Sequence, residues 1–331
     1  MSLCIALLTG CNPPEQYFVF GTFLEIDLSG VGTKTEKKII DRLTEIDALM
    51  SATLENSDIS RINRAAAGES VSVSAETLKI LTLCREMYDE TGGAFNPALR
   101  PLVALWGFTP ELFTIAGSER KPPAAEEITE TSSLCGFSRE DFKIDAEAGT
   151  VTKRLGGAGL DLGAVVKGYA ASEAAATALA ANKKADGIIN LGGNIYAVGG
   201  KQNIGIGNPR PSAAPYLGAL PILGCIATSG DYQRYYTYEN EVYSHIIDGR
   251  TGYPAKSGII SVSVICEDGA LADMLSTAVF VLGGDKGAAL LARYGADAVF
   301  VFEDGTYALY GADGFTLKDT GYTERLLKTP R

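Results

Sequence analysis

Histidine is almost missing: His245 is the only one in 331 residues. No multi-histidine metal centre can be built from it, and proton transfer through an imidazole near neutral pH has one candidate. The six cysteines, Cys4, Cys11, Cys84, Cys135, Cys225 and Cys266, form no C-x-x-C pair, which disfavours zinc and thioredoxin-like sites and offers no disulfide framework. Clustered basic residues are also lacking. With 29 Lys and Arg against 40 Asp and Glu the formal charge is −11, which argues against a nucleic-acid surface, since phosphate neutralisation needs gathered positive charge. An anionic ligand would therefore need a metal or a local pocket, and an oxygen-bound ion such as Mg²⁺ suits this composition best. No run approaches the ~18 apolar residues of a membrane span, so the body is expected to be soluble.

What is present is ordinary globular composition, 46% hydrophobic and 21% charged, enough for one large or two medium domains. The start, "MSLCIALLTGC", is a short apolar run ending in Leu8-Thr9-Gly10-Cys11. It resembles the lipobox at which bacterial lipoprotein signals are cut and the cysteine lipidated, although a basic leader is missing; a chance apolar start or a first strand is the plain alternative. Residues 1–16 are therefore expected to be a lipoprotein-signal-like segment and 17–331 a single domain.

The run "YFVFGTFLEIDL" from Tyr17 alternates as a strand, and Ile39, Leu43, Ile46 and Met50 recur at helical spacing after it. A second helix is expected after Ser74, with Leu78, Leu81, Cys84 and Tyr88 on one stripe and a stop at Gly92-Gly93. "KPPAAEEITETSS" reads as a surface loop or a short acidic helix start. From Phe142 onward come a hairpin, an alanine-rich helix from Ala164 to Ala181, and glycine-punctuated strands through "DGIINLGGNIYAVGG" and "QNIGIGNP". Further strands are expected around Cys225, Tyr236, Ile246 and Val262, then helices through Asp273 and Leu290 and a closing pair around Val301 and Tyr307. Meandering strands interrupted by helices predict an α+β fold with mostly antiparallel sheets.

Four stretches could carry chemistry, and each has a bland reading. In "GLDLGAVVKGYA", Asp161 precedes a helix start and Lys167 lies one turn in, where free amides favour an anion; capping explains the same letters. "NLGGN" could bring backbone amides to a phosphate or be a plain turn. "CIATSGDY" places Thr228, Ser229, Gly230 and Asp231 in a polar turn. "YSHIIDGRTGYPA" holds His245 and Asp248, and a lone histidine on a strand is more often structural. A fifth stretch, "ALADMLSTAVFVLGG", reads as an apolar helix that nonetheless carries Asp273, Ser276 and Thr277. An ionised carboxylate there requires a cation, a donor network or an exposed turn.

Together and in this order, these five stretches resemble the ApbE-type FAD:protein FMN transferases, a family of Mg²⁺-dependent bacterial flavin transferases. "SDISRIN" at 57–63, "TGGAFNPAL" at 91–99 and "PLVALWGF" at 101–108 extend the resemblance from about Phe20 to Gly283. It implies an ApbE-like, T-fold-related architecture of antiparallel sheets packed by helices. It implies that Asp273 and Thr277, with the backbone carbonyl of Ala164, hold Mg²⁺, Ser276 lying alongside. It implies that Asp161, Lys167, Ala94, Phe95, Asn96, His245 and Ile247 meet FAD, and that FMN passes from FAD to a Thr or Ser hydroxyl with release of AMP. Either His245 or Asp248 would take the hydroxyl proton. Implied partners are FAD and the flavoprotein subunits of membrane redox complexes, with no nucleic acid. The lipobox-like start adds a lipid anchor on Cys11 and an extracytoplasmic location, on the periplasmic side of the inner membrane in a Gram-negative cell.

Three positions depart from the family pattern. Phe20 stands where the family has Met, Thr53 where it has an aromatic able to stack on the isoalloxazine, and Asn96 where it has Asp. Loss of the stacking ring, worth roughly 1 kcal/mol beyond buried area, keeps an FAD pyrophosphatase in view as an alternative. A non-catalytic FAD-binding lipoprotein is the other, and the intact Asp273 and Thr277 weigh against it.

Overall fold

The computed structural model describes residues 17–328, Glu111 and Thr114 excepted. Its centre is a ten-stranded sheet. Strands Tyr17–Val19, Thr22–Ser29, Asp186–Leu191, Asn194–Gly207, Tyr216–Gly230, Ile259–Cys266, Asp297–Phe302 and Thr306–Tyr310 lie side by side in that order, each antiparallel to the next. Only Thr323–Glu324 joins this sheet in parallel. The fold is thus α+β with mostly antiparallel sheet, as the alternation of short strands and helices predicts.

The strand Asp297–Phe302 shows how the sheet is covered. Ala298, Phe300 and Phe302 join the core under the helices, whereas Val299 and Val301 face a second core with Ile204, Leu217, Leu220 and Ile260. Successive side chains point to opposite faces, so a strand buried on both sides loses its polar alternation. On the first face lie the helices Thr33–Met50, Val166–Ala181, Gly269–Leu282 and Gly284–Tyr294. The expected stripe Ile39, Leu43, Ile46 and Met50 is fully buried. Ser74 caps the helix Ala75–Glu90 by accepting from the Thr77 amide.

The alanine-rich helix, Val166–Ala181, presents Ala170, Ala171, Ala174, Ala175 and Ala178 to its neighbours, and all are buried. Small side chains let the late helix, Gly269–Leu282, approach closely. The two meet at Gly168 and Gly269, where a Cβ on either residue would run into the other's backbone carbonyl. That contact brings Asp273 beside the first turn of the alanine-rich helix.

Several boundaries differ from the sequence reading. The alanine-rich helix starts at Val166, because the Ala164 and Val165 region is a turn. The two strands expected between Asp186 and Asn208 are Asp186–Leu191 and one long strand, Asn194–Gly207, with a register shift between Ala197 and Gln202. Thr228, Ser229 and Gly230 end the strand Tyr216–Gly230 and are not a turn. Ile246 falls in the break between Glu241–Ser244 and Ile247–Asp248. The acidic segment does form a helix, Ala125–Ser132. Cys4 and Cys11, with the whole lipobox-like segment, lie outside the described residues; among those described, no helix is long and apolar enough to cross a membrane.

Candidate functional site

Asp273 is only 5% exposed, yet its carboxylate is unevenly satisfied. Oδ2 accepts a hydrogen bond from the Gly168 amide at 3.0 Å and lies 3.9 Å from the Lys167 ammonium. Among the described residues no donor meets Oδ1. The aspartate caps the alanine-rich helix from another helix, supplying what Val165, the residue at the cap position, does not. Because the Gly168 amide turns to Asp273, no backbone amide among the described residues reaches the Ala164 carbonyl. A carboxylate oxygen and a carbonyl oxygen are therefore both left open around one amide.

The hydroxyls beside them are ordered by proton counting. Ser276 Oγ donates to the Asp273 carbonyl at 2.9 Å, so its contact with Ser229 Oγ, 2.9 Å away, must use the Ser229 proton. Thr277 Oγ1, 3.3 Å from Ser229 Oγ, is then the donor in that longer contact and keeps its lone pairs. A hydroxyl with free lone pairs, a half-free carboxylate and an open carbonyl are all hard oxygen donors, the set that Mg²⁺ prefers. Ala164, Asp273 and Thr277 fit such an ion. Among the described residues there is no cluster of three or more His, Cys, Asp or Glu; in the set Ala164, Asp273 and Thr277 the carboxylate of Asp273 would be the charged ligand.

Cations stand close by. Lys167 bonds the Gly163 carbonyl at 2.5 Å, and its charge, with that of Arg234, reaches His245. Enclosure first, then these cations, pull the His245 pKa from 6.5 to about 3, so the imidazole is neutral at ordinary pH. Its Nδ1 lies 3.1 Å from the Arg234 carbonyl, an acceptor, which assigns the proton to Nδ1 and the free lone pair to Nε2. Phe108 meets the ring edge-on at 6.4 Å and stacks on Tyr236, while Trp106 is pinned by its indole N–H to the Gly252 carbonyl. This aromatic cluster also holds Ile247, which is buried as a pocket wall should be.

Asp248 is placed differently. Both its oxygens are engaged by Arg250, Oδ1 by the backbone amide and Nε and Oδ2 by Nη2 at 2.7 Å, leaving it a poor candidate base. It lines a cleft of about 490 Å³ with Tyr243, Tyr253 and Lys256.

The remaining residues named from the sequence are held by separate local contacts. Asn96 accepts from the Ala98 amide and donates to the Cys135 carbonyl at 2.8 Å, a donation an aspartate could not make. Asp161 does not cap a helix; it accepts from the Gly163 amide, its own amide donates to Pro97, and Arg100 stands 3.9 Å away. Ala94 and Phe95 are buried. Phe20 adopts a left-handed φ of +53° in a two-residue turn with Gly21, and its amide donates to Asp47. A bulky residue in that conformation is strained, a condition concentrated at functional sites. Thr53 is exposed, its hydroxyl against Ser51, with no ring in its place.

Two residues lie in stretches the sequence singles out but receive no role there. Asn194 is buried with its Nδ2 unpartnered, a donor waiting for an acceptor next to the Gly192-Gly193 turn. Asn63 of "SDISRIN" bonds both the amide and the carbonyl of Leu160, thereby fixing the Asp161 loop.

The model of the ApbE family matches residues 20–300. The FAD:protein FMN transferase of Treponema pallidum is 31% identical over 81% of this chain and 77% of its own length. That of Klebsiella pneumoniae is also 31% identical, over 86% and 88%. Among solved structures, the ApbE protein of Thermotoga maritima superposes with a TM-score of 0.79 at 30% identity, covering 93% of this chain and 97% of that one. The flavinyl transferase ApbE of Pseudomonas stutzeri, at 26% identity, gives 0.74 over 95% and 96%.

Proposed function

The chain belongs to the ApbE family, and we propose that it is a Mg²⁺-dependent FAD:protein FMN transferase that attaches FMN to a Thr or Ser hydroxyl of an acceptor protein and releases AMP. The observation that carries the metal-dependent reading is the half-satisfied Asp273 carboxylate beside the open Ala164 carbonyl. Asp273, Thr277 and Ala164 would hold Mg²⁺, which supplies charge neutralisation at the pyrophosphate.

The chain's own groups do the rest. Lys167 sets positive charge beside the diphosphate of FAD, and Asn194 offers its free amide N–H. Phe95 and Ile247 contribute apolar wall. The acceptor hydroxyl oxygen bonds the FMN-side phosphorus, its proton passes to Nε2 of His245, and the phosphorus–oxygen bond to AMP breaks. The imidazole is held neutral by burial first and by Arg234 and Lys167 second; an anionic dinucleotide offsets the part due to the cations and so makes the base somewhat stronger.

The test is incubation with FAD, Mg²⁺ and an acceptor bearing the hydroxyl, followed by mass spectrometry of every product. A gain of one FMN phosphoester on the acceptor with stoichiometric AMP supports transfer. FMN and AMP free in solution, with acceptor unchanged, would instead establish a pyrophosphatase, the second reading that the exposed, ringless Thr53 favours. Persistence of turnover in excess EDTA would remove Mg²⁺ from the scheme. The acceptors proposed are flavoprotein subunits of membrane redox complexes, met outside the cytoplasm by an enzyme anchored through Cys11. Fractionation of cells making the native protein, with and without Cys11→Ala, tests the anchor: a protein equally soluble in both cases has none.

A further inference from the structure

Cys225 and Cys266 stand directly opposite each other on the antiparallel strands Tyr216–Gly230 and Ile259–Cys266. Opposed residues project from the same face of a sheet. Here that face is covered by the late helix: Cys225 is fully buried with Ala227 and Ala272, and Cys266 packs at the margin of the same cluster, partly exposed. Of the other two cysteines among the described residues, Cys135 lies in a separate cluster, and Cys84 is a core member of a large cluster that Cys266 touches only at its margin.

The ladder fixes the spacing of the pair. The Asp231 amide donates to the Ile260 carbonyl, which makes that opposed pair a hydrogen-bonded one; stepping back by twos along the register makes 225 and 266 hydrogen-bonded as well. Such pairs have Cα atoms about 5.5 Å apart, within the ~4.4–6.8 Å that a disulfide accepts. Their Cβ atoms, about 5.5 Å apart in such a pair, must draw in by about 1–2 Å to reach disulfide spacing. This end of the ladder has the freedom to do so. Cys266 is the last residue of its strand, and Cys225 follows Gly224, whose φ of +85° lies where pairing with the neighbouring strand slips between Ala197 and Gln202.

We propose that Cys225 and Cys266 are a dithiol modification site that closes to a cross-strand disulfide on meeting a small disulfide oxidant. Cys266, the more accessible, attacks one sulfur of the oxidant as a thiolate and forms a mixed disulfide, expelling one oxidant thiolate. Cys225 then displaces the second. Two protein thiols and one oxidant disulfide thus become one protein disulfide and two oxidant thiols, the two protons moving from the cysteines to the leaving groups. The bond ties the strand end to its neighbour just before Asp268, which caps the late helix by accepting from the Leu271 amide. The inference is independent of the transfer reaction.

The whole chain is incubated with glutathione disulfide, quenched in denaturant with excess iodoacetamide, and digested. The expected result is a peptide pair joined through Cys225 and Cys266, absent after dithiothreitol and absent from Cys266→Ala and Cys266→Ser. The oxidised protein should also melt several degrees above the reduced one. Full alkylation of both cysteines after oxidation, glutathione remaining on Cys266 without closure, or a link to Cys84 or Cys135 in its place would each overturn the proposal.

Discussion

Two of the charges buried among the described residues are treated in opposite ways. Lys153 is 1% exposed, and its ammonium donates to three carbonyls, those of Asn63, Gly156 and Ala158, at 2.6, 2.8 and 3.0 Å. Three donors meet three acceptors, and the group is saturated. Asp273, nearly as buried, has one amide on one oxygen, an ammonium at 3.9 Å and an open second oxygen. A saturated buried charge is a fastening; an unsaturated one is an invitation to a ligand. The fastening serves the site even so, because Lys153 grips Asn63, which in turn holds the Asp161 loop.

Substitutions at the two positions should therefore have opposite signatures. Asp273→Ala is expected to lower flavinylation by roughly 10³-fold, the scale of removing a principal electrostatic element from a phosphoryl-transfer site, while costing only about 1 kcal/mol of stability as a lost helix cap. Asp273→Asn sharpens the point, since it keeps an acceptor for the Gly168 amide but not the charge; activity near wild type in that variant would sink the metal role. Lys153→Met should do the reverse. Three buried carbonyls lose their donor, stability falls by about 3 kcal/mol, and the protein that remains folded keeps its rate within a few-fold, as urea titration and kinetics on the same sample would show.

His245 is a third case, a titratable ring kept uncharged. Its folded pKa, about 3, lies below the unfolded 6.5, so the unfolded chain gains a proton first as pH falls, and stability is lost between pH 6.5 and about 3. His245→Gln should flatten that part of the stability curve against wild type, measured by urea midpoints. In the native enzyme the acid limb of kcat should lie at higher pH than that of kcat/KM, because bound FAD offsets Lys167 and Arg234. Coincident limbs would show that substrate does not tune the ring.

Much of this was legible in the sequence where periodicity or local capping decides structure. The stripe of Thr33–Met50 and the Ser74 cap are examples, and so is the oddity of Asp273 in an apolar helix. What was hidden depends on partners distant along the chain. Ser229 reads as part of a polar turn, but it sits in a strand because Ser276 and Thr277 satisfy its hydroxyl. Lys153 in "TVTKR" looks like the solvent side of a hairpin until three separate carbonyls close on it. Asp248 and His245 are indistinguishable as bases on paper, and only Arg250 and the Arg234 carbonyl tell them apart.

The glycine pair at the helix crossing has one more consequence. Since Gly168 and Gly269 touch backbone to backbone, the Asp273 carboxylate is aimed by main-chain atoms, which no side-chain exchange nearby can re-aim. A side chain at either glycine would have to push the two helices apart, so the crossing behaves as a rigid pivot for the carboxylate.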